Sequence, residues 1–475
     1  MAGTVPYDRV DLDVGGAPLR VHLVGIGGAG MSAIAEVLAA LGHRVTGSDR
    51  NDSATLQRLR LSGIDARVGS APDLAADADV VGVSTAVPRD DVDVVAAEQA
   101  GVPVAHRYDL LAAIGATRRT LSISGTHGKT TTSALTALAL DGAGLDPSFI
   151  IGGTVPGLGA GSGAGARWTG SEWFVLEADE SDSTFLAPPR AGAVITNIEP
   201  DHLDHHGSFE ELVAAFERFA DGTEGPVIIC ADDVGAAPLI DQFPQSHSYG
   251  ESGLADFVIS DVDATDGMRW TLTDPDGVEH HLSLSLPGRH LVLNATAAFA
   301  LAVSIGADPV GAAAGIARYR GVGRRFEHRG TTAGITFIDD YAHMPTEVRA
   351  VLDAATSGAA AGGWDRIVAV FQPHRYSRTG SVWREYADAF AAADVVVITD
   401  IYAAGEAPVD GVTGHLVVDA VAAAHPHAEV LWLPTRADLL AGLPALLGTG
   451  DLCLTMGAGD LTTLPDQLVA ALEAE

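Results

Sequence analysis

The sequence is poor in basic residues, and only one of them is a lysine. It has 28 lysines and arginines against 62 aspartates and glutamates, which gives a formal net charge of -34. A protein that binds nucleic acid or an anionic membrane needs a basic surface to neutralise phosphate groups. The composition therefore argues against both classes of partner, and we expect neither.

Cysteines and long apolar runs are also scarce. The two cysteines, Cys230 and Cys453, form no C-x-x-C pair, so we expect neither a disulfide framework nor a thiolate zinc site. The N-terminal residues lack the basic and apolar stretches of a signal peptide, and no run of about 18 apolar residues occurs. We expect a cytoplasmic protein, either a monomer or a homodimer.

Short β-branched runs alternate with Ala- and Leu-rich stretches through most of the chain. This alternation is typical of parallel βαβ units, so the predicted fold class is α/β. A chain of 475 residues is too long for a single hydrophobic core. We divide it into three domains, residues 1–117, 118–324 and 325–475, and we expect the glycine-rich stretch 159–166 to be a surface loop.

The single lysine lies in a predicted phosphate-binding loop. The strand RTLSIS is followed by GTHGKT and then by a helix with an apolar face. In such a loop backbone N–H groups face the phosphates, Lys129 reaches the outer phosphates, and Thr130 would hold Mg²⁺. The match to the longer P-loop pattern is incomplete, because Ile123 stands where the first glycine is usual. An ammonium group is more compact than a guanidinium, so keeping a lysine only here favours nucleotide binding.

Polar side chains follow the neighbouring predicted strands. Glu177 and Asp179 end the strand WFVLEAD, where a phosphate loop needs a carboxylate for its metal ion, although such acids also cap helices. His202 lies among carboxylates after the next strand and either ligates a second Mg²⁺, orients a water molecule or belongs to a solvated turn. Asn294, on a later apolar helix, needs partners that an adenine edge, a water molecule or an internal cap would supply.

The first domain contains a second glycine motif. Gly25, Gly27 and Gly30 form G-x-G-x-x-G between a strand and a helix, and the next strand ends at Asp49. This pattern predicts a diphosphate at the helix N-terminus and a ribose hydroxyl at the acid. Both NAD and a UDP-sugar satisfy it, but a separate ATP loop further along the chain is not expected of a dehydrogenase.

Charged residues of both signs follow two strands of the third domain. Because the carboxyl ends of parallel strands converge on one crevice, the cations could hold a carboxylate and the acids an ammonium. Together these groups describe an amino-acid site. The acidic strand end has Asp339, Asp340, Tyr341 and His343, and the cationic strand end has His374, Arg375 and Arg378. Arg324, Arg325 and Arg329, in a hinge-like segment, could contact a phosphate or form exposed salt bridges.

Eight motifs in order make the chain similar to the Mur ligases over essentially its full length. These motifs are HLVGIGGAGMS, SGTHGKTTT, EADESDSTF, TNIEPDHLD, GRHLVLNA, GVGRRFE, DDYAHMPTE and FQPHRYSRT. The resemblance implies a Rossmann-like UDP-binding domain, a central P-loop-type ATPase domain and a C-terminal Rossmann-like domain. It also implies an ATP-dependent ligase that joins L-alanine to the lactyl carboxylate of UDP-N-acetylmuramate through an acyl phosphate, the first step of peptidoglycan stem synthesis.

The resemblance also implies roles for individual residues. The expected ATP-binding residues are Gly125, Thr126, His127, Gly128, Lys129, Thr130, Thr131, His290, Asn294, Arg325 and Asp340. Thr130 and Glu177 are expected to hold one Mg²⁺, and His202 a second. The expected UDP-sugar-binding residues are His22, Gly25, Gly27, Gly28, Ser48, Asp49, Ser84 and Arg107. Tyr341, His343, Arg375 and Arg378 are expected to form the alanine and acyl-phosphate pocket, and the expected catalytic residues are Lys129, His343 and Arg375.

The chain departs from the family pattern at two positions. Met344 stands where the family usually has a second histidine, and Glu217 stands where several sister ligases have a carbamylated lysine. The second departure is consistent with the alanine-adding branch. Three alternative functions stay open. They are a recycling ligase that joins a preformed tripeptide to the same UDP-sugar, an NAD-dependent oxidoreductase that uses the first glycine motif, and a non-catalytic UDP-sugar sensor, which the intact metal and phosphate residues disfavour.

Overall fold

Buried β-branched runs assemble into three sheets, each of which is covered by helices. The computed structural model describes residue 10 and residues 12–158, 165–265, 267–360 and 362–473. Most of the predicted loop at 159–166 lies outside these residues. Within the described part of the chain, no helix combines the length and apolar character needed to cross a bilayer.

The first sheet is formed by the N-terminal part of the chain. Its strands are β1 (Arg20–Val24), β2 (Arg44–Asp49), β3 (Asp65–Val68), β4 (Val80–Val83) and β5 (Val104–His106). Its helices are α1 (Ala29–Ala40), α2 (Ala54–Leu61), α3 (Pro72–Ala76), α4 (Val92–Ala100) and α5 (Arg107–Ala116). The strands are parallel in the order β3-β2-β1-β4-β5, so the loop after β1 lies where the chain order reverses. Ligands bind at this position in open parallel sheets.

The second sheet is the largest. Its strands are β6 (Arg119–Ser124), β7 (Ser148–Ile150), β8 (Ala166–Arg167), β9 (Trp173–Glu177), β10 (Gly192–Ile195), β11 (Val227–Cys230), β12 (Ser246–Gly250), β13 (Phe257–Asp263), β14 (Met268–Thr273) and β15 (Glu279–Leu284). The accompanying helices are α6 (Lys129–Gly142), α7 (Leu203–His206), α8 (Phe209–Asp221), α9 (Arg289–Ser304) and α10 (Pro309–Ile316). The strand order is β15-β14-β13-β12-β11-β10-β6-β9-β7-β8. Parallel neighbours therefore flank β6 on both sides, which places the phosphate loop beside the ends of β9 and β10.

The third sheet belongs to the C-terminal part of the chain. Its strands are β16 (Glu327–Thr332), β17 (Ile335–Asp340), β18 (Arg366–Phe371), β19 (Val395–Ile398), β20 (Glu429–Trp432) and β21 (Asp451–Met456). Its helices are α11 (Pro345–Ala360), α12 (Tyr376–Val382), α13 (His415–Ala424), α14 (Arg436–Leu446) and α15 (Leu464–Glu473). The order is β16-β17-β21-β18-β19-β20, and only the β16–β17 pair among the described strands of this sheet is antiparallel. Helices α11 and α13 pack on one face and α14 and α15 on the other, so the sheet is doubly wound.

The chain divides into two compact units. The larger unit runs from the N-terminus to Asp261 and adds Trp270–Leu282 and Leu293–Tyr319. The smaller unit contains Val262–Arg269, Ser283–Val292 and Arg320–Glu475. The α/β class predicted from the sequence is confirmed, whereas the domain boundaries at residues 117 and 324 stay predictions.

Candidate active site

The loop between β6 and α6 has the backbone geometry of a phosphate cradle. Gly125 (φ 134°) and Gly128 (φ 82°) lie in the left-handed region, which glycine adopts without strain. A Cβ at Gly128 would lie 2.7 Å from Oδ1 of Asn294. The amide of Asn294 therefore lies directly against the loop, beside the start of α6.

Lys129, the first residue of α6, makes two hydrogen bonds and one ion pair with nearby oxygen atoms. Its Nζ donates to the carbonyl oxygens of Gly125 at 2.7 Å and Thr126 at 3.1 Å. It also lies 2.8 Å from Oε2 of Glu180, whose side chain is 1 % exposed. Burial alone lowers the pKa of Lys129, but the carboxylates of Glu180 and Asp179 outweigh it and raise this pKa. Burial also raises the pKa of Glu180 to about 7, although Lys129 opposes that shift.

Two of the predicted magnesium ligands lie together beside the loop. The hydroxyl of Thr130 donates to Oε1 of Glu177 at 2.8 Å, and Oε2 of Glu177 accepts from the backbone N–H of Gly152 at 2.6 Å. The oxygens of Thr130 and Glu177 are hard donors of the type that Mg²⁺ prefers. These two residues would hold a magnesium ion, which would supply positive charge beside a bound phosphate.

His202, the residue predicted to bind a second Mg²⁺, does not lie in a cluster of possible metal ligands. Its backbone is left-handed (φ 54°), and its Nε2 is 3.4 Å from Oδ2 of Asp201. In the described chain no group of three or more His, Cys, Asp or Glu side chains is arranged to hold a metal ion. The assignment of His202 to a second Mg²⁺ therefore stays a prediction.

Residues that directly follow β10 form hydrogen bonds with the phosphate loop. The side-chain oxygen of Asn197 accepts from the backbone N–H of His127 at 2.7 Å, and its Nδ2 donates to the carbonyl of His127 at 3.0 Å. The hydroxyl of Thr196 donates to the same carbonyl at 2.6 Å. Glu199 donates its backbone N–H to Oγ1 of Thr126 at 2.9 Å. These bonds fix the loop conformation from a neighbouring strand.

The first glycine loop is closed by Asp49. Its carboxylate accepts from the backbone N–H of Gly27 at 2.9 Å and from that of Asn51 at 3.0 Å. Gly25 has φ 72°, and Gly28 precedes α1 without a side-chain cap. Asp49 therefore lies at the helix N-terminus where the sequence predicts a diphosphate and a ribose.

Two other predicted UDP-binding residues lie below this loop. His22 is fully buried, with Nδ1 2.9 Å from the hydroxyl of Thr46 and Nε2 3.5 Å from Asp93. Ser48 donates to Asp93 at 2.5 Å. Burial raises the pKa of Asp93, but hydrogen bonds from His22, Ser48 and the backbone of Ala71 outweigh it and lower this pKa. These contacts hold β1, β2 and α4 together, and any ligand contact of His22 stays a prediction.

Arg107 lies in a cavity of about 160 Å³ within the larger unit. Its Nη2 is 3.4 Å from both Oδ2 of Asp182 and the hydroxyl of Thr184, and its Nη1 lies 3.2 Å from the position that a Cβ would take at Gly30. The cavity is also lined by Glu177 and Asp179. It thus connects the start of α1 to the carboxylates beside the phosphate loop.

Ser84 is the other predicted UDP-binding residue. Its backbone carbonyl accepts a hydrogen bond from the backbone N–H of Val87.

In the smaller unit, Asp340 is buried at the end of β17. Its carboxylate accepts from the backbone N–H groups of Phe326 and Ala342, both at 2.7 Å. Burial raises the pKa of Asp340 to about 6, and Arg325 opposes the shift. The guanidinium of Arg325 lies over the ring of Tyr341, 5.0 Å from the ring centroid.

Two histidines meet between the ends of β17 and β18. The rings of His343 and His374 are 5.5 Å apart, and Nδ1 of His374 is 3.1 Å from Nη1 of Arg378. Nδ1 of His343 lies 3.1 Å from the carbonyl of Tyr341 and 3.2 Å from Glu347. The proton of neutral His343 is therefore assigned to Nδ1, and Nε2 is its basic nitrogen. Burial and the nearby His343, Arg378 and Arg375 lower the pKa of His374 to about 3.

The remaining predicted residues of the smaller unit have unusual local environments. Arg375 has φ 66°, and its buried Nε has no hydrogen-bond partner among the described residues. Desolvation and the charge of Arg325 lower the pKa of His290 to about 4, so this ring is neutral near pH 7. Met344, where the family usually has histidine, is buried. The structure thus collects Tyr341, His343, Arg375 and Arg378 around the ends of β17 and β18, the two strands that flank β21.

Sequence reasoning missed three contributors to these sites. Glu180 was not assigned a role, although it is the ion-pair partner of Lys129. Asp93, which joins His22 and Ser48, has no recognisable motif around it. Tyr402 stacks on His374 with the ring centroids 5.8 Å apart. Only Glu180 had a signal in the sequence. It lies in the acidic run EADESD, where two further acids follow the pair at the strand end.

Comparison with known proteins gives a consistent result along the chain. Three family models match: "Mur ligase family, catalytic domain" at residues 20–119, "Mur ligase middle domain" at 123–302 and "Mur ligase, glutamate ligase domain" at 324–459. A UDP-N-acetylmuramate–L-alanine ligase from Kineococcus radiotolerans is 47 % identical, with 95 % of this chain and 96 % of that protein covered.

Two solved structures are similar over nearly the whole chain. The UDP-N-acetylmuramate–alanine ligase MurC from Thermotoga maritima has a TM-score of 0.80 and 28 % identity, with 96 % of this chain and 99 % of that chain covered. A murein peptide ligase from Psychrobacter arcticus has a TM-score of 0.69 and 24 % identity, with 95 % and 98 % covered. The second likeness shows a shared fold only.

Proposed function

This chain belongs to the Mur ligase family, and we propose that it is an ATP-dependent ligase that joins L-alanine to the lactyl carboxylate of UDP-N-acetylmuramate. One observation of the geometry carries the proposal. The cavity around Arg107 extends from the start of α1, directly after the glycine loop of the first sheet, to Glu177 beside the phosphate loop. A sugar acid whose nucleotide part is bound at the first loop would therefore present its carboxylate near the ATP phosphates.

The proposed reaction has two steps. The lactyl carboxylate attacks the γ-phosphate of ATP to give an acyl phosphate and ADP, and the alanine amine then attacks the acyl carbon and expels inorganic phosphate. In the first step Lys129 offsets the negative charge that develops on the transferred phosphoryl group. We assign the remaining nucleotide contacts to the loop residues Gly125–Thr131 and to His290, Asn294, Arg325 and Asp340.

We propose that Thr130 and Glu177 hold one Mg²⁺, and that His202 contributes to a second. The 2.8 Å approach of the two oxygens of Thr130 and Glu177 supports the first site. A magnesium ion bound there would offset phosphate charge.

The proposed alanine site consists of Tyr341, His343, Arg375 and Arg378. Its two arginines suit a carboxylate, because a guanidinium can donate two parallel hydrogen bonds to it. Alanine enters as an ammonium and must lose a proton before it attacks, and Nε2 of His343 is the base that we propose.

Domain roles and context follow from the same proposal. We assign UDP-sugar binding to residues 1–117, ATP binding to 118–324 and amino-acid binding to 325–475, and the ranges matched by the family models support these divisions. A cytoplasmic location and a monomeric or homodimeric state remain proposals. ATP and UDP-sugars are cytoplasmic metabolites, which supports the location.

The proposed function is tested by measuring phosphate release with UDP-N-acetylmuramate, ATP and each standard amino acid in turn. We expect L-alanine to give the highest kcat/KM. A preformed tripeptide as the better acceptor would favour the recycling ligase instead. Tight NADH binding without binding of the UDP-sugar would favour the oxidoreductase, and stimulation by no amino acid would contradict the proposal.

A further inference from the structure

The ammonium of Lys129 makes three close contacts with oxygen atoms of the protein itself. An ammonium has three donors, and those of Lys129 meet the carbonyls of Gly125 and Thr126 and the carboxylate of Glu180 at 2.7, 3.1 and 2.8 Å. A new bond to a phosphate oxygen therefore requires that one of these three contacts be given up. The two carbonyls belong to the loop backbone, so Glu180 is the partner that can be exchanged.

Glu180 depends on Lys129 for its charge. Apart from this ion pair, neither carboxylate oxygen of Glu180 has a hydrogen-bond partner among the described residues. The other charged or titratable groups nearby are Asp179, the neighbour of Glu180, and Glu177, which acts on Lys129, while Nε2 of His206 lies 2.9 Å from the backbone carbonyl of Glu180. A buried carboxylate that loses its only cationic partner becomes costly to keep ionised.

We propose that Glu180 is a positioning residue for Lys129: its carboxylate takes the place of a phosphate oxygen until ATP binds and then releases the ammonium. This inference rests on the proposed ATP-dependent function. The exchange is favoured because the triphosphate brings several negative charges close to the carboxylate. Glu180 then takes up a proton from solvent, which forms one O–H bond and leaves no unpaired charge.

The direction of the proton change follows from the burial of Glu180. Burial has already raised the pKa of this carboxyl to about 7 while Lys129 is in contact with it. Removal of Lys129 to the phosphates raises that pKa further, because the ammonium is the main opposing influence. Nucleotide binding at a pH slightly above neutral is therefore accompanied by proton uptake, and mildly acidic conditions favour binding.

Calorimetric titration of the full chain with a β,γ-imido analogue of ATP and Mg²⁺ tests this inference. Titrations at about pH 7.5 in buffers of different ionisation enthalpy give the number of protons exchanged. We expect the wild type to take up a proton at each occupied site, fractionally or fully. Glu180→Gln should abolish this uptake and bind the analogue about five-fold more tightly or better, because the competing carboxylate is gone.

Glu172→Gln is the matched control, because it makes the same chemical change at an exposed acid that precedes β9. It should leave both proton uptake and affinity as in the wild type. Should Glu180→Gln fail to fold, Glu180→Asp keeps the charge with a shorter reach, and we expect it to retain proton uptake with an affinity above that of the wild type.

Two results would overturn the inference: unchanged proton uptake in Glu180→Gln, or weaker binding of the analogue by that variant. For Glu180→Asp, loss of proton uptake or weaker binding would do the same. Turnover of the wild type tests the proposed function separately. An active ligase without proton uptake defeats only this inference, whereas an inactive protein that takes up a proton on binding the analogue defeats only the proposed function.

Discussion

His374 is a residue whose neighbours make protonation unfavourable. Its pKa is lowered to about 3 by burial and by His343, Arg378 and Arg375, with Glu406 in opposition. The unfolded chain binds a proton at this position below about pH 6.5, but the folded chain does not. Above pH 6.5 this histidine therefore does not change the free energy of unfolding. As the pH falls from 6.5 toward 3, proton binding to the unfolded chain progressively lowers that free energy.

We predict that His374→Gln loses less stability than the wild type when the pH is lowered from about 7 to 5. The measurement is the thermal unfolding midpoint at a series of pH values, compared as the difference between the two ends. His415→Gln, at a half-exposed position on α13, should follow the wild type. Parallel curves for the wild type and His374→Gln would contradict the assignment.

Lys129 is the residue at which charge and size must both be conserved. Its ammonium fits among three acceptors within 3.1 Å, whereas a guanidinium is planar and wider. We predict that Lys129→Arg lowers kcat for phosphate release about 100-fold or more, because the positive charge no longer reaches the transferred phosphoryl group.

Arg119→Lys makes the reverse exchange at an exposed position at the start of β6 and should leave kcat unchanged. Activity of Lys129→Arg within about three-fold of the wild type would show that a point charge at this position is not required.

At the scale of elements, Arg190 connects α8 to the segment that lines the cavity. Its buried guanidinium donates to the carbonyls of Phe185 and Pro188 at 3.3 and 2.8 Å, and to that of Phe219 near the end of α8 at 3.2 Å. Burial lowers the pKa of Arg190 to about 10, and the described residues provide it with carbonyl and hydroxyl acceptors. Carbonyls near the C-terminal end of a helix suit a cation.

We predict that Arg190→Met lowers stability by about 3 kcal/mol, because buried carbonyls lose their donor. It should also raise KM for UDP-N-acetylmuramate, since Phe185 and Pro188 line the cavity around Arg107. Thermal unfolding and phosphate-release kinetics measure the two effects. Arg218→Met, at an exposed position on α8, is the control, and equal unfolding midpoints for both variants would contradict the predicted role of Arg190.

The sequence predicts elements better than it predicts contacts between them. The strands that precede the two glycine loops and the acidic strand ends were all predicted, because their apolar runs and turn residues are local signals. The strands β13, β14 and β15 were not, since they are half-buried and carry polar residues on alternate positions. The ion pair between Lys129 and Glu180 joins the start of α6 to the loop after β9, which is far away in sequence, and no local pattern specifies it.

At the scale of the whole molecule, the single lysine allows a lysine-specific protease to report on the phosphate loop alone. A lysine-specific protease can cleave only after Lys129, and the side chain of Lys129 is 14 % exposed while Thr130 is buried. Because this bond starts the buried helix α6, cleavage requires local or global unfolding.

We predict that native cleavage is slow, gives two fragments, and slows about 100-fold further when the β,γ-imido analogue is present at about 100 times its Kd. An arginine-specific protease is the internal control, because an exposed arginine such as Arg89 lies in the turn between β4 and α4 and not in the phosphate loop, so its cleavage should not change. Gel electrophoresis over time gives both rates in one experiment. Cleavage at Lys129 that is indifferent to a bound analogue would mean that the nucleotide does not stabilise this loop, and the assignment of the phosphate cradle would then be wrong.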